Sequence, residues 1–182
     1  MSFRKGINLT GISMRLSHSI ISNDHFFKVG ICTLLSPELI DDNFILVDMD
    51  TVLAAKVKKL DARGKQLVAF ISNDIDYYAL QSVGNVLFID RKRKVNEILS
   101  FLVANDMRYH YQIKFALSQR EYQILDYMHK GYSAEEIAAL MGLKIKTFYA
   151  HRRNMVLKLR VGNRISLYRN IARLESACSQ QA

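Results

Sequence analysis

Proline occurs once, at Pro37, and cysteine only twice, at Cys32 and Cys178, in a chain of 182 residues. Neither cysteine has a neighbour at metal-ligand or redox spacing, which excludes a disulfide framework, a zinc site and a dithiol motif; a reduced, cytosolic protein is the simplest expectation. The scarcity of proline leaves helices uninterrupted outside residue 37. No run approaches the ~18 apolar residues of a membrane span, and the opening MSFRKGINLTGISMRL lacks the continuous apolar stretch of an export signal. Internal repeats and low-complexity tracts are missing too. No Ser-His-Asp set, glycine-rich phosphate loop or metal-ligand cluster is visible. The expectation is therefore a protein that is not an enzyme, with no catalytic residues, no cofactor and no metal.

What is present is positive charge, unevenly placed. Residues 107–182 hold 13 Lys+Arg against 5 Asp+Glu, whereas residues 1–106 hold 13 against 12, so +8 of the net +9 lies in the last 76 residues. One part is then expected to meet a polyanion and the other to meet protein. The length suits two small domains or one large one, and the uneven charge favours two.

Apolar runs alternate with helical patterns through the first hundred residues. Strands are expected at 19–22, Phe44–Asp48 (FILVD), Gln66–Ile71 (QLVAFI) and Val86–Ile89 (VLFI); helical spacing marks Phe26–Leu35, Thr51–Leu60, Asp74–Val83 and Val95–Val103. Strand and helix in alternation with short connections point to an α/β domain, a parallel sheet flanked by helices. The segment Asn105–Ala116 carries Tyr109, Tyr111 and Phe115 but no proline or glycine, so it should be a partly packed linker.

The last third reads as all-α. Ser118-Gln119-Arg120-Glu121 and Ser133-Ala134-Glu135-Glu136 both have the Ser-x-x-Glu pattern of a capping box, so helices should begin at about 119 and 134. Gly142 permits a tight turn into GLKIKTFYAHRRNMVLKLRVGNR. At 100° per residue, Phe148, Met155 and Leu159 fall on one side of that third helix, with Lys146, Tyr149, Arg153 and Arg160 roughly opposite. Short helix, turn and longer basic helix make a helix-turn-helix, which places its third element in a DNA major groove. Asn163 can cap a fourth helix, Arg164–Leu174.

From Leu117 the run LSQREYQILDYMHKGYSAEEIAALMGLKIKTFYAHRRNMVLKLRVGNR resembles the LuxR/NarL-type helix-turn-helix domain. Leu117, Arg120, Glu121, Leu125, Gly131, Ser133, Glu136, Ile137, Ala138, Thr147, His151, Asn154, Lys158, Leu159, Val161 and Arg164 fall at that family's spacing. TFYAHRRN is similar to small enterobacterial regulators of fimbriae and capsule. The resemblance implies base contacts by Tyr149, Ala150 and Arg153, with Arg153 the candidate for a bidentate guanine contact, or else a solvated or phosphate-bound arginine. Lys144, Lys146, Thr147, His151, Arg152 and Lys158 would hold phosphates; His151 could equally make an interhelical hydrogen bond. Tyr149 stands where lysine is common, so relatives' base preference does not transfer. In this family the fourth helix pairs two subunits, which would assign Ile165, Tyr168 and Ile171 to dimerisation, unless all three are simply core.

The first half resembles a response-regulator receiver. SIISNDHFFKVGICTLL looks like its opening, FILVDMD like the strand that ends in the phospho-accepting aspartate, here Asp48, with Asp24 in the acidic pair and Ser72 as the sensing hydroxyl. Asn23 replaces one acid, the 24-residue step from Asp24 to Asp48 is too short for the usual strand and helix, and Asp90-Arg91 stands where a lysine is expected. The implied unit is degenerate and shortened, with Asp48 a vestigial acceptor and pairing its remaining task.

The expected division is 1–104 receiver-like, 105–116 linker, 117–176 helix-turn-helix and 177–182 tail. The expected function is sequence-specific DNA binding and transcription regulation through the helix 145–160, independent of phosphorylation, in the cytoplasm at the nucleoid. An auxiliary co-regulator that heterodimerises with a related regulator is the alternative. Double-stranded DNA and a second subunit, identical or related, are the expected partners; RNA polymerase is a further candidate, and a membrane is not.

Overall fold

A computed structural model describes residues 15–175, the last three by backbone alone. The opening segment before Arg15, Cys178 and the tail 177–182 lie outside the described residues. Four parallel strands, β1 (Ile20–Ile21), β2 (Phe44–Asp48), β3 (Gln66–Ile71) and β4 (Val86–Asp90), pair in sequence order. Helices α1 (His25–Leu34), α2 (Pro37–Asn43), α3 (Ala54–Lys58), α4 (Asp74–Leu80) and α5 (Val95–Val103) connect or follow them.

The unbroken apolar runs of β2 and β3 are those of strands covered on both faces. Side chains alternate along each strand. Leu46, Val68, Phe70 and Ile89 thus share a core with Ile31, Cys32, Ile98 and Phe101 of α1 and α5. Val47, Leu67, Ala69, Ile71 and Phe88 face the opposite way, onto Val57 and Leu80 of α3 and α4. No strand lies between β1 and β2, as the short spacing requires, but α2 does. Its signal was local: Ser36 accepts from the Leu39 N–H at 3.2 Å and Pro37 takes the first turn.

A 3-10 turn at Met107–Tyr109 leads to four more helices, α6 (Gln119–His129), α7 (Ala134–Leu140), α8 (Ile145–Lys158) and α9 (Arg164–Glu175). Both capping boxes form. Ser118 Oγ accepts from the Glu121 N–H at 3.3 Å while Glu121 accepts from the Ser118 N–H at 2.8 Å; Ser133 and Glu136 repeat the exchange at 3.2 and 2.7 Å. Gly142 ends α7 with φ +61°, a left-handed turn that a side chain would strain, and this turn aims α8. Ile124, Ile137, Phe148, Met155, Leu159, Leu167 and Ile171 fill the helical core, joined by Ile75 from α4.

Candidate nucleic-acid interface

Helix α8 is anchored by Phe148 and Met155, both without solvent exposure, and this fixes what its other side presents. Tyr149, Ala150 and Arg153 are exposed together, with Lys144, Lys146 and Thr147 exposed at the N-terminal end. The helix start also offers unsatisfied backbone N–H groups and a positive dipole end, both suited to phosphate. His151 is half-buried. Arg152 turns aside: its guanidinium stacks over the Tyr149 ring at 4.6 Å and donates to the Tyr168 hydroxyl at 3.4 Å. It braces the tyrosine rather than standing on the outer rim.

Two expected contacts are corrected, one by an ion pair and one by burial. Lys158 is not on the rim, because its Nζ donates to Glu121 Oε2 at 2.6 Å and so neutralises a carboxylate that is 3% exposed. Ile171 is 2% exposed inside the helical core and cannot reach another subunit, whereas Ile165 (73%) and Tyr168 (41%) stay open on α9. Burial by itself would raise the Glu121 carboxyl, but Lys158 and the Ser118 N–H outweigh it and hold it below its ordinary value of 4.5. A depressed carboxyl stabilises the fold above its unfolded pKa, and that contribution is lost as pH falls through the folded value. Glu121→Gln should therefore cost about 2 kcal/mol at pH 7 and flatten the loss of stability below pH ~4.5. Urea unfolding of both proteins from pH 7 to 3 measures it; parallel acid limbs would contradict the assignment.

At the carboxyl ends of the strands the receiver-like pocket is filled from within. Asp48 has no solvent exposure and accepts from Ser22 Oγ at 2.8 Å and Thr51 Oγ1 at 3.1 Å. Asp24 caps α1 by accepting from the Phe26 and Phe27 N–H groups, and the Phe27 bond is the largest influence holding its carboxyl below the usual range. Between them lies the Arg91 guanidinium, 2.8 Å from Asp24, 3.6 Å from Asp48 and 2.7 Å from Asp50. Ser72 donates to Asp50 at 2.9 Å. Of the three residues expected to form this pocket, Asp24 and Asp48 meet on one cation, while Ser72 is engaged by Asp50, which sequence reasoning missed. The second aspartate of Asp48-Met49-Asp50 was its only signal.

Arg160 also departs from its expected place on the DNA-facing side. Helix α8 ends at Lys158 and Arg160 adopts φ +58°, which swings its side chain toward the α/β unit. It donates to Asp90 Oδ2 at 2.6 Å and to the Tyr111 hydroxyl at 2.8 Å. That hydroxyl in turn donates to the Asp74 carboxylate, and the Asp74 N–H donates to Leu159 O at 3.0 Å. Burial raises the Asp74 carboxyl above its ordinary value. Tyr111, from the connecting segment, also donates its N–H to Phe88 O at 2.7 Å, and Leu117 N–H donates to the Tyr78 hydroxyl at 3.1 Å. The segment between the two units is thereby packed onto both.

Among the described residues no helix is long and apolar enough to cross a membrane, and no cluster of three or more acidic, histidine or cysteine side chains is arranged to hold a metal ion. Residues 116–171 match the family model described as bacterial regulatory proteins, luxR family. The response regulator VraR of Staphylococcus saprophyticus is 31% identical over 149 residues, 71% of each chain. The transcriptional regulatory protein TdiR of Thauera aromatica is 39% identical over 75 residues; that match takes in 41% of this chain and a third of TdiR. Among solved structures, RcsB from Salmonella enterica serovar Typhimurium bound to promoter rprA in the presence of phosphomimetic BeF3− superposes with a TM-score of 0.54 at 18% identity, over 85% of this chain and 98% of that one. A second RcsB–DNA complex gives 0.51 at 16% identity, over 87% and 96%. Those two likenesses are of fold: a parallel sheet with helices followed by an all-helical domain. From the capped helices, the outward-facing α8 and the match of sequence over both units, the chain belongs to the LuxR family of bacterial regulatory proteins, transcription regulators that bind DNA through a helix-turn-helix.

Proposed function

We propose that this chain regulates transcription by reading a specific duplex sequence without needing phosphorylation. Tyr149, Ala150 and Arg153 meet base edges in the major groove, and Lys144, Lys146 and Thr147, with half-buried His151 beside them, hold the flanking phosphates. The observation that carries the reading is the exposure of these three side chains on one face of a helix whose other face is locked by Phe148 and Met155. Independence from phosphorylation rests on Arg91. Phosphoryl transfer to an aspartate uses a divalent cation to gather charge on the transferred group. Here a guanidinium already lies among Asp24, Asp48 and Asp50, and Asp48 is sealed from solvent.

A second reading, a co-regulator that works mainly as a heterodimer with a related protein, is favoured by apolar side chains left open on the α/β unit. Phe26 is 87% exposed on α1, and Val95 and Val103 are exposed on α5. Selection from a random duplex pool separates the readings. The proposal expects a defined motif to be enriched by the purified chain alone, equally with and without acetyl phosphate and Mg2+. Enrichment that requires the phosphodonor contradicts the Arg91 argument, and enrichment that requires an added LuxR-type partner supports the co-regulator.

A further inference from the structure

In open α/β sheets, ligands settle in the crevice outside the carboxyl ends of the strands. Here half of that crevice is occupied by Arg91 and its three aspartates. The other half remains open as a cleft of about 570 Å3, floored by Ser72 and Asn73 after β3 and by Lys92 after β4, and roofed by Gly162 before α9 and by Ser166 and Arg169 along its first two turns. Its two walls thus come from different units of the protein.

The charges on those walls are unequal in their commitments. Asp50, which borders the cleft, is held by Arg91 and Ser72, and Arg160, which also lines it, is held by Asp90. Lys92 and Arg169 are exposed, one from each unit, and among the described residues neither side chain has an acidic partner within 4.0 Å. Two cations without acidic partners line one open cleft, with the Ser166 hydroxyl on the same wall as Arg169, and together they suit a compact anion. A guanidinium forks onto a phosphate or carboxylate, an ammonium adds a point charge, and hydroxyls satisfy remaining oxygens. The volume falls in the usual range for a small-molecule site.

We propose that this interdomain cleft binds a small phosphorylated anion, clasped between Lys92 of the β4–α5 turn and Arg169 of α9. A molecule that touches both walls binds only when the two units are docked as they are here, so it favours that arrangement by its differential affinity. The inference is independent of how α8 reads DNA, since neither cation belongs to the reading face.

The test uses the full chain in titration calorimetry and thermal unfolding, with inorganic phosphate, glucose 6-phosphate and AMP as separate probes in buffer of matched chloride. Saturable binding with Kd under about 1 mM in at least one arm is expected, with a midpoint that rises as the probe is added. The tightest arm then tells whether free or esterified phosphate is the natural form. Lys92→Ala and Arg169→Ala should each weaken binding about tenfold, and Lys92→Arg should restore most of it. Because both positions are exposed, the variants should unfold at the wild-type midpoint without probe. Absence of saturable binding in all three arms overturns the proposal, as does binding that survives in the double alanine variant.

Discussion

Arg91→Met is expected to destabilise the protein by about 3–5 kcal/mol at pH 7. It leaves Asp24, Asp48 and Asp50 converging on a space with no cation, and Asp48 has no solvent exposure with which to offset the loss. Breaking a buried pair from one side is costly because the remaining charge is stranded in a low dielectric. The same argument gives the sign of a second exchange. Asp48→Asn alone should also destabilise, since it disturbs the bonds from Ser22 and Thr51. Introduced beside Arg91→Met, however, it should recover stability by removing the stranded charge. Denaturant unfolding of the two single variants and the double variant closes the cycle, with an expected coupling of about 1–3 kcal/mol. Additivity would mean that Arg91 serves only Asp24 and Asp50 at the mouth of the pocket.

The second large effect is on specificity. Arg153→Ala should reduce discrimination between the selected operator and a duplex altered at one base pair by about 1–3 kcal/mol, while lowering affinity for unrelated DNA far less. Lys146→Ala provides the contrast: affinity for all duplexes should fall together, and the slope of log K against log salt should shrink by about one unit. Lys158 is unsuitable for that comparison, because its ammonium is spent on Glu121. If Arg153→Ala and Lys146→Ala change specific and unrelated duplexes in the same ratio, the separation of base from phosphate contacts on α8 is wrong.

What could be read directly from the residues was local. FILVD and QLVAFI announce strands by uninterrupted apolar runs, and Ser118/Glu121 and Ser133/Glu136 mark helix starts by partners three residues apart. What could not be read was set by distance along the chain. Arg91 meets Asp24 across 67 residues and Asp50 across 41, and Lys158 meets Glu121 across 37, so no window of sequence contains both members of a pair. Helical projection fails for a different reason at Arg160: it assumes that the helix continues, and α8 stops two residues earlier. At α9 the apolar periodicity is real but wider than the core it serves. Leu167 and Ile171 turn inward, while Ile165 and Tyr168, on the neighbouring stripe, do not.

The knot of Asp74, Tyr111, Arg160 and Asp90 ties the end of α8 to the α/β unit. With the residues after α8 fastened to the last strand, these contacts oppose independent rotation of α8. Two copies that join through their front halves would present their helices at a single separation and a single angle. An operator lengthened by one base pair between its halves, which turns one half about 35° around the duplex axis, would then be gripped by only one of them. Spacing between half-sites, as much as their letters, becomes part of what such a molecule recognises.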